Sequence, residues 1–298
     1  MRNDVEYQRM RDPQEIEDTR RRLLYKYVEE NGAVTPETAR KNVLVRPKTA
    51  SKPARSGPEL DPSVPMSPTE FERHVDALES DGYLTVDDGT LRVAAPVADE
   101  AETVPRDGAA TDVTVRPARQ EDSEAILDVV ETVAGEETYV VAARLAEELH
   151  RDDALMRFNE AGDRMFFVAT VDESAADEDA DGDGAGSQEE TVVGWLHVGG
   201  VRAPEMGHTA TLTLGVRADY RDHGLGAALM DRGLDWAREQ GYRKVYQNLP
   251  ATNEGAIDFL ESHGWAVEST REGHYLLDDE LVDEVQLAVW VDEDGHKR

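Results

Sequence analysis

From Val113 onward, runs that read as strands alternate with runs that read as helices, and this alternation restricts the fold more than any other feature of the sequence. The segments "VTVRPA", "RMFFVATVD", "ETVVGWLHVGG", "HTATLTLGV", "KVYQNL", "WAVESTREGHYLL" and "EVQLAVWVD" are rich in β-branched and aromatic residues. Between them, "QEDSEAILDVVETVA", "TYVVAARLAEELHRD", "LGAALMDRGLDWAREQG" and "NEGAIDFLESHG" repeat apolar residues at helical spacing. Interspersed helices with strand pairs at both ends predict an α/β (α+β) domain, a mixed sheet flanked by helices.

The chain has 298 residues, a formal charge of −32 and no cysteine, which rules out disulfides, thiolate metal sites and a cysteine nucleophile. No apolar run approaches the ~20 residues of a bilayer span, and the opening "MRNDVEYQRMRDPQEIED" lacks the apolar core of a signal peptide. A soluble, cytoplasmic protein is expected. Acidic residues number 64 against 32 basic ones, of which six are lysine. This surface resembles that of proteins from salt-loving archaea, where salt screens self-repulsion.

Residues 1–57 carry 13 basic and nine acidic side chains, a net of +4 that sets them apart from the rest. "IEDTRRRLLYKYVEENGAVTPETARKN" reads as a helix, a glycine turn and a short helix begun by Thr-Pro. A basic, proline-rich insert follows at 46–65. "SPTEFERHVDALESDG" opens with a Ser67 to Glu70 capping box and Pro68 at the first helical position. "YLTVDDGTLRV" is a hairpin with Asp-Gly at its tip. Three helices and a two-stranded wing resemble a winged helix, giving an N-terminal domain at 1–105, a linker at 106–111 and the mixed-sheet domain at 112–298. The third helix has only Arg73 and His74 as cations among five acids, which suits a phosphate backbone poorly. Nucleic acid, a protein partner and a homodimer contact all remain open for this domain. The acidic stretch 172–190 reads as a loop between strands; it lacks the flanking helices and closing glutamate of a calcium loop, and no metal is expected.

The segment "LTLGVRADYRDHGLGAALM" runs from a strand into Arg221-Asp222-His223-Gly224-Leu225-Gly226-Ala227 and a helix. Glycines there let the backbone approach a ligand, and the free N–H groups of the first helical turn favour an anion. A Walker loop needs Gly-Lys-Ser/Thr, and a dinucleotide fingerprint needs a third glycine where Leu229 stands.

The motif resembles the acetyl-CoA loop of the GNAT acetyltransferases, and the likeness continues through "VYQNLPATNEGAIDFLESHGW". It implies a GNAT-type mixed sheet, acetyl-CoA as co-substrate and an amine acceptor, the acetyl group passing by direct attack in a ternary complex. The implied cofactor contacts are Leu214, Val216, Arg221, His223, Gly224, Leu225, Gly226, Ala227 and Asn253. The N–H groups of His223 to Ala227 would cradle the pyrophosphate, those near Leu214 to Val216 would face the thioester oxygen, and Asn253 would lie near the pantetheine arm. Asn253 is also placed to cap the helix after it.

Two positions depart from the family. Thr211 stands where many relatives carry a glutamate base, and Leu260 where they carry a tyrosine acid. His197, Glu205, His208 and Tyr275 are the remaining candidates for proton transfer. A transcriptional regulator that senses acyl-CoA, and an interaction protein that retains an inactive fold, are the alternatives to an enzyme.

Overall fold

The computed structural model describes residues 13–46, 63–94, 101–105, 112–136, 140–152, 154–159, 162–172, 190–201, 203 and 205–292. The chain divides between Ala95 and Pro96 into two compact units.

The first unit contains α1 (Thr19–Asn31), β1 (Ala33–Val34), α2 (Pro36–Asn42), β2 (Leu44–Val45), β3 (Val64–Pro65), α3 (Pro68–Ser80), β4 (Leu84–Asp87) and β5 (Thr90–Val93). Its sheet order is β1-β5-β4, and its core joins Leu24, Val28, Phe71, Leu78, Leu84 and Leu91. The caps follow from sequence: Asp18 accepts from Arg20 and Arg21 N–H, Thr35 from Thr38 N–H and Ser67 from Glu70 N–H. The Glu70 carboxylate pairs with Arg20, tying α3 to α1. The expected hairpin closes on Asp88 (φ 46°) and Gly89 (φ 73°), the positive-φ pair that a tight two-residue turn requires. The expected insert begins and ends in an ordered ladder, since β2 pairs antiparallel with β3; residues 47–62 lie outside the described part.

The second unit contains β6 (Glu102–Val104), β7 (Val113–Pro117), α4 (Ser123–Ala134), α5 (Val140–Leu149), β8 (Arg157–Asn159), β9 (Gly162–Asp172), β10 (Glu190–Gly200), β11 (Thr209–Val216), α6 (Leu225–Glu239), β12 (Lys244–Pro250), α7 (Glu254–Ser262), β13 (Ala266–Leu277) and β14 (Glu280–Trp290). These form a mixed sheet of order β13-β14-β12-β11-β10-β9-β7-β6, with β8 on β9. The fold class is the expected one. Two strands of this unit escaped the sequence reading. β8 is only three residues long, and β6 lies at the end of the stretch expected to belong to the N-terminal domain, yet Glu102 to Val104 pair with Val113 to Val115. β6 thus belongs with the second compact unit, which takes up the chain from Pro96. Most of the acidic loop, 173–189, lies outside the described residues.

Helices cover the sheet where apolar faces demand it. α4 and α5 bury Ile126, Val130, Val133, Leu145 and Leu149 against Phe166, Val168 and Trp195. α6 buries Leu225, Leu229, Met230, Trp236 and Ala237. Gly233 brings this helix close to β10, because a Cβ there would stand 2.5 Å from Leu196 Cδ2. Among the described residues no helix is long and apolar enough to cross a membrane.

Candidate active site

β11 and β12 run parallel, but their pairing is confined to Thr209–Lys244, Ala210–Val245 and Thr211–Tyr246. Beyond Thr211 the strands continue to Val216 and Pro250 without a ladder between them. On the outer sides both stay paired, β11 with β10 and β12 with β14. A parallel pair that parts midway exposes backbone N–H and C=O groups, which an extended ligand can satisfy in place of a strand.

A cavity of about 380 Å³ opens at this parting. Thr213 to Val216 and Gln247, Leu249 and Pro250 form its strand walls; Gly224, Gly226 and Ala227 close one end. Phe259 and Leu260 of α7 and Val140 to Ala142 of α5 complete it. The volume suits a small ligand or part of a larger one.

The helix end shows why the glycines matter. Gly224 precedes α6 at φ 78°, a left-handed conformation that side chains resist, and a Cβ on it would meet nothing within 4 Å. At Gly226 a Cβ would enter the cavity wall, 3.4 Å from Phe259 Cζ. The first intrahelical bond runs from Ala228 N–H to Gly224 O. The N–H groups of Leu225, Gly226 and Ala227 therefore precede the helical ladder and offer an anion both donors and the positive end of the dipole.

Of the residues expected from sequence, Leu214, Val216, Arg221, Gly224, Gly226, Ala227 and Asn253 border the cavity. Leu225 turns its side chain into the core at 1% exposure, and His223 is exposed. Arg221 is engaged as a brace: Nε donates to Val216 O at 2.8 Å, and the guanidinium pairs with Glu136 at 2.6 Å. Asn253 caps α7, its Oδ1 accepting from Ala256 N–H at 3.2 Å.

The four proton-transfer candidates lie apart from the cavity wall. Glu205 and His208 sit in an exposed turn. His197 stacks on Phe166 at 4.8 Å and is the cross-strand neighbour of Thr213. The residue keeps some exposure, but its Nε2 is shielded and has no hydrogen-bond partner among the described residues. Burial, helped by the charges of Arg164 and Arg157, pushes its pKa down to about 3. Tyr275 donates to Glu284 Oε2 at 2.7 Å. Burial and then that carboxylate raise the phenol's pKa, so it is a proton donor rather than a base near neutrality. Leu260, which stands at the family's acid position, does border the cavity, at 1% exposure.

Sequence reasoning missed Gln247, Phe259, Asp222 and the α5 residues. Gln247 had a readable signal, a polar residue alternating with Val245 and Leu249 in an otherwise buried phase. The α5 wall had none, because its approach is set by tertiary packing.

A sheet parted between two parallel strands, with a glycine-rich helix start at the mouth of the gap, defines the GNAT-type fold. Residues 143–265 match the family model described as "Acetyltransferase (GNAT) family", so this part of the chain is similar to enzymes that transfer acyl groups. N-alpha-acetyltransferase 50 of Danio rerio is 31% identical over 65 residues, 22% of this chain and 39% of the fish protein. This chain thus spans about two fifths of the length of that relative. Among solved structures, a GCN5-related N-acetyltransferase from Kribbella flavida aligns over 60% of this chain and 97% of its own, at 24% identity and a TM-score of 0.44. A Salmonella typhimurium protein solved with its cofactor acetyl-CoA aligns over 62% and 96%, at 18% identity and a TM-score of 0.45.

Proposed function

We propose that this protein is an N-acetyltransferase that moves the acetyl group of acetyl-CoA to a primary amine of a protein or small molecule. The observation that carries this reading is the parted β11–β12 pair with the N-terminus of α6 at its mouth. The N–H groups of Leu225 to Ala227, with the loop at His223 and Gly224, hold the pyrophosphate. Leu214, Val216 and Asn253 lie along the pantetheine arm, and Arg221 fixes the loop by its bonds to Val216 O and Glu136.

Acetyl-CoA supplies an activated thioester; the chain supplies position and polarity. A strand N–H between Leu214 and Val216 bonds the carbonyl oxygen as it gains negative charge, an effect worth ~3–4 kcal/mol at a preorganised site. The amine forms the new N–C bond as the C–S bond breaks, and its proton leaves by water to the departing thiolate or to solvent. This positioning model accords with a wall that offers leucine at position 260 and keeps His197 and Tyr275 away from it.

We read the N-terminal unit as a winged-helix-like module and the acidic composition as adaptation to concentrated salt in a cytoplasm. In α3, His74 is 2% exposed and so withheld from any phosphate backbone, which favours a protein partner over nucleic acid. Exposed Val267, Leu276 and Leu281 on the β13–β14 hairpin support a homodimer contact. Calorimetry with coenzyme A in molar salt, followed by a panel of amine acceptors with labelled acetyl-CoA, tests the central reading. Absence of both binding and turnover refutes it; binding without turnover reduces it to a sensor.

A further inference from the structure

A groove of about 380 Å³ opens on the first unit between α2, α3 and the β4–β5 hairpin. Its floor is apolar: Phe71, Val75 and Leu91 belong to the core yet border it, and Val86, 40% exposed, stands on the hairpin beside them. Its rim is anionic. Glu72, Asp76 and Glu79 follow one another at i, i+4 and i+7 on the exposed face of α3, and Glu37 joins them from α2. Arg40 is the one cation bordering the groove among the described residues. Other carboxylates of the unit are matched, Glu70 by Arg20, Asp81 by Arg21, Glu30 by Lys26 and Glu37 itself by Lys41. Glu72, Asp76 and Glu79 have no such cation among the described residues, although like charges at this spacing destabilise a helix. A generally acidic surface accounts for the carboxylates but not for the apolar floor they surround.

We propose that this groove is the docking site for a lysine- or arginine-rich segment of a partner protein, anchored by a bulky apolar side chain. The floor takes the anchor, which leaves water there, and the row on α3 takes the cations that flank it. Such an arrangement sets register as well as attraction. The volume suits side chains of a single segment rather than a folded domain. A nucleic acid does not fit the same place, because its phosphates would meet unpaired carboxylates and would find few cations to release their counterions. The inference deepens the protein-partner reading of the first unit by naming the surface and the partner's chemistry, and it is independent of the coenzyme A reading.

The test uses the full-length protein at the lowest potassium chloride concentration at which circular dichroism shows it folded. The probes are a synthetic lysine-rich peptide carrying leucines and the same peptide with alanine for each leucine. Calorimetry compares the parent with Glu72→Gln/Asp76→Asn/Glu79→Gln and with Glu254→Gln/Asp258→Asn/Glu261→Gln, which removes the same charges at the same spacing from the exposed face of α7. The leucine peptide is expected to bind the parent and the α7 variant alike, and the groove variant about three- to hundredfold more weakly, the combined size of such exposed ion pairs. The alanine peptide should bind the parent about tenfold more weakly or worse, through loss of the buried anchor. The ligand-free groove variant should melt no lower than the parent, because like-charge contacts have been removed. Asp76→Asn alone, with a loss of about two- to fivefold, serves if the triple variant fails to fold. Equal weakening in the groove and α7 variants, or equal binding of the two peptides, overturns the inference by showing only the attraction of a general acidic surface. A groove variant that melts lower overturns it too, by revealing a structural role for the row. No binding of the leucine peptide to the parent overturns this site while sparing the protein-partner reading, whereas a DNA duplex that displaces the peptide overturns both.

Discussion

Gly226→Ala separates the stability of the helix start from its use as a binding surface, because the two effects should have opposite signs. Gly226 is in the first turn of α6 and outside the positive-φ region, so alanine is compatible with its backbone. The added methyl would lie 3.4 Å from Phe259 Cζ and 4.0 Å from Leu214 Cδ1, ordinary contacts that need no rearrangement. Replacing a helical glycine at a compatible site stabilises by ~0.4–1 kcal/mol, about 1–4 °C in the melting point of a domain this size. Both neighbours are cavity wall, so the methyl occupies space that a ligand's backbone contacts require. Overpacking of this kind costs ~1–3 kcal/mol, a loss of about five- to 150-fold in coenzyme A affinity. Gly224→Ala is the control. At φ 78° with no neighbour within 4 Å, alanine there should lower stability by ~1–2 kcal/mol through backbone strain alone. Thermal unfolding and calorimetry on the same samples decide the matter. A destabilised Gly226→Ala protein, or one that binds coenzyme A as tightly as the parent, refutes the reasoning.

Asn253→Ala should cost ~0.5–2 kcal/mol by removing the α7 cap, whereas Asn253→Asp keeps the acceptor oxygen and should retain stability; weaker coenzyme A binding in both would show that the amide also serves the ligand. For His197, the folded pKa of about 3 lies below the ordinary 6.5, so the unfolded chain binds the proton more readily. Its contribution to stability is complete above pH 6.5 and is lost as pH falls from there toward 3; His197→Phe should flatten that part of the stability profile measured by denaturant titration. Under the positioning model, His197→Ala, His208→Ala, Glu205→Ala and Tyr275→Phe should each lower kcat/KM by less than the ~100-fold expected of a true general acid or base, and a larger loss at any one of them would identify the group the model omits.

Much of both units was legible because the signals are local. The Ser67, Thr35 and Asp88-Gly89 punctuation follows from side-chain and φ preferences that act over three or four residues, and strands β9 to β12 announce themselves by β-branched runs between glycine turns. The glycine loop was legible for the same reason, its conformation being written within seven residues. What stayed hidden depends on partners distant in sequence. Glu102 to Val104 become a strand only because β7 offers an edge. The cavity wall from α5 depends on how that helix packs beside the parted strands, which no short pattern encodes. Arg221 shows the same limit: its motif marks the loop, but Glu136, 85 residues away, decides that its charge is already paired.

That pairing bears on how so acidic a chain can hold an anion. The formal charge is −32, Arg221 is neutralised by Glu136, and Asp222 places a carboxylate on the cavity wall in the same loop. The local attraction therefore comes from short-range donors, the N–H groups of Leu225 to Ala227, while the long-range field opposes the ligand. These two contributions respond differently to salt. Hydrogen bonds from N–H to phosphate act at contact distance. Repulsion from scattered carboxylates acts over the Debye length, which falls from ~10 Å at 0.1 M to ~3 Å at 1 M. Coenzyme A affinity should consequently rise between these concentrations, opposite to the fall expected of a site built from lysines and arginines. Calorimetry across that range, with circular dichroism confirming that the protein is folded at each point, gives the sign directly. A steady fall in affinity with salt would mean that a cationic side chain, rather than the helix start, carries the phosphate contact.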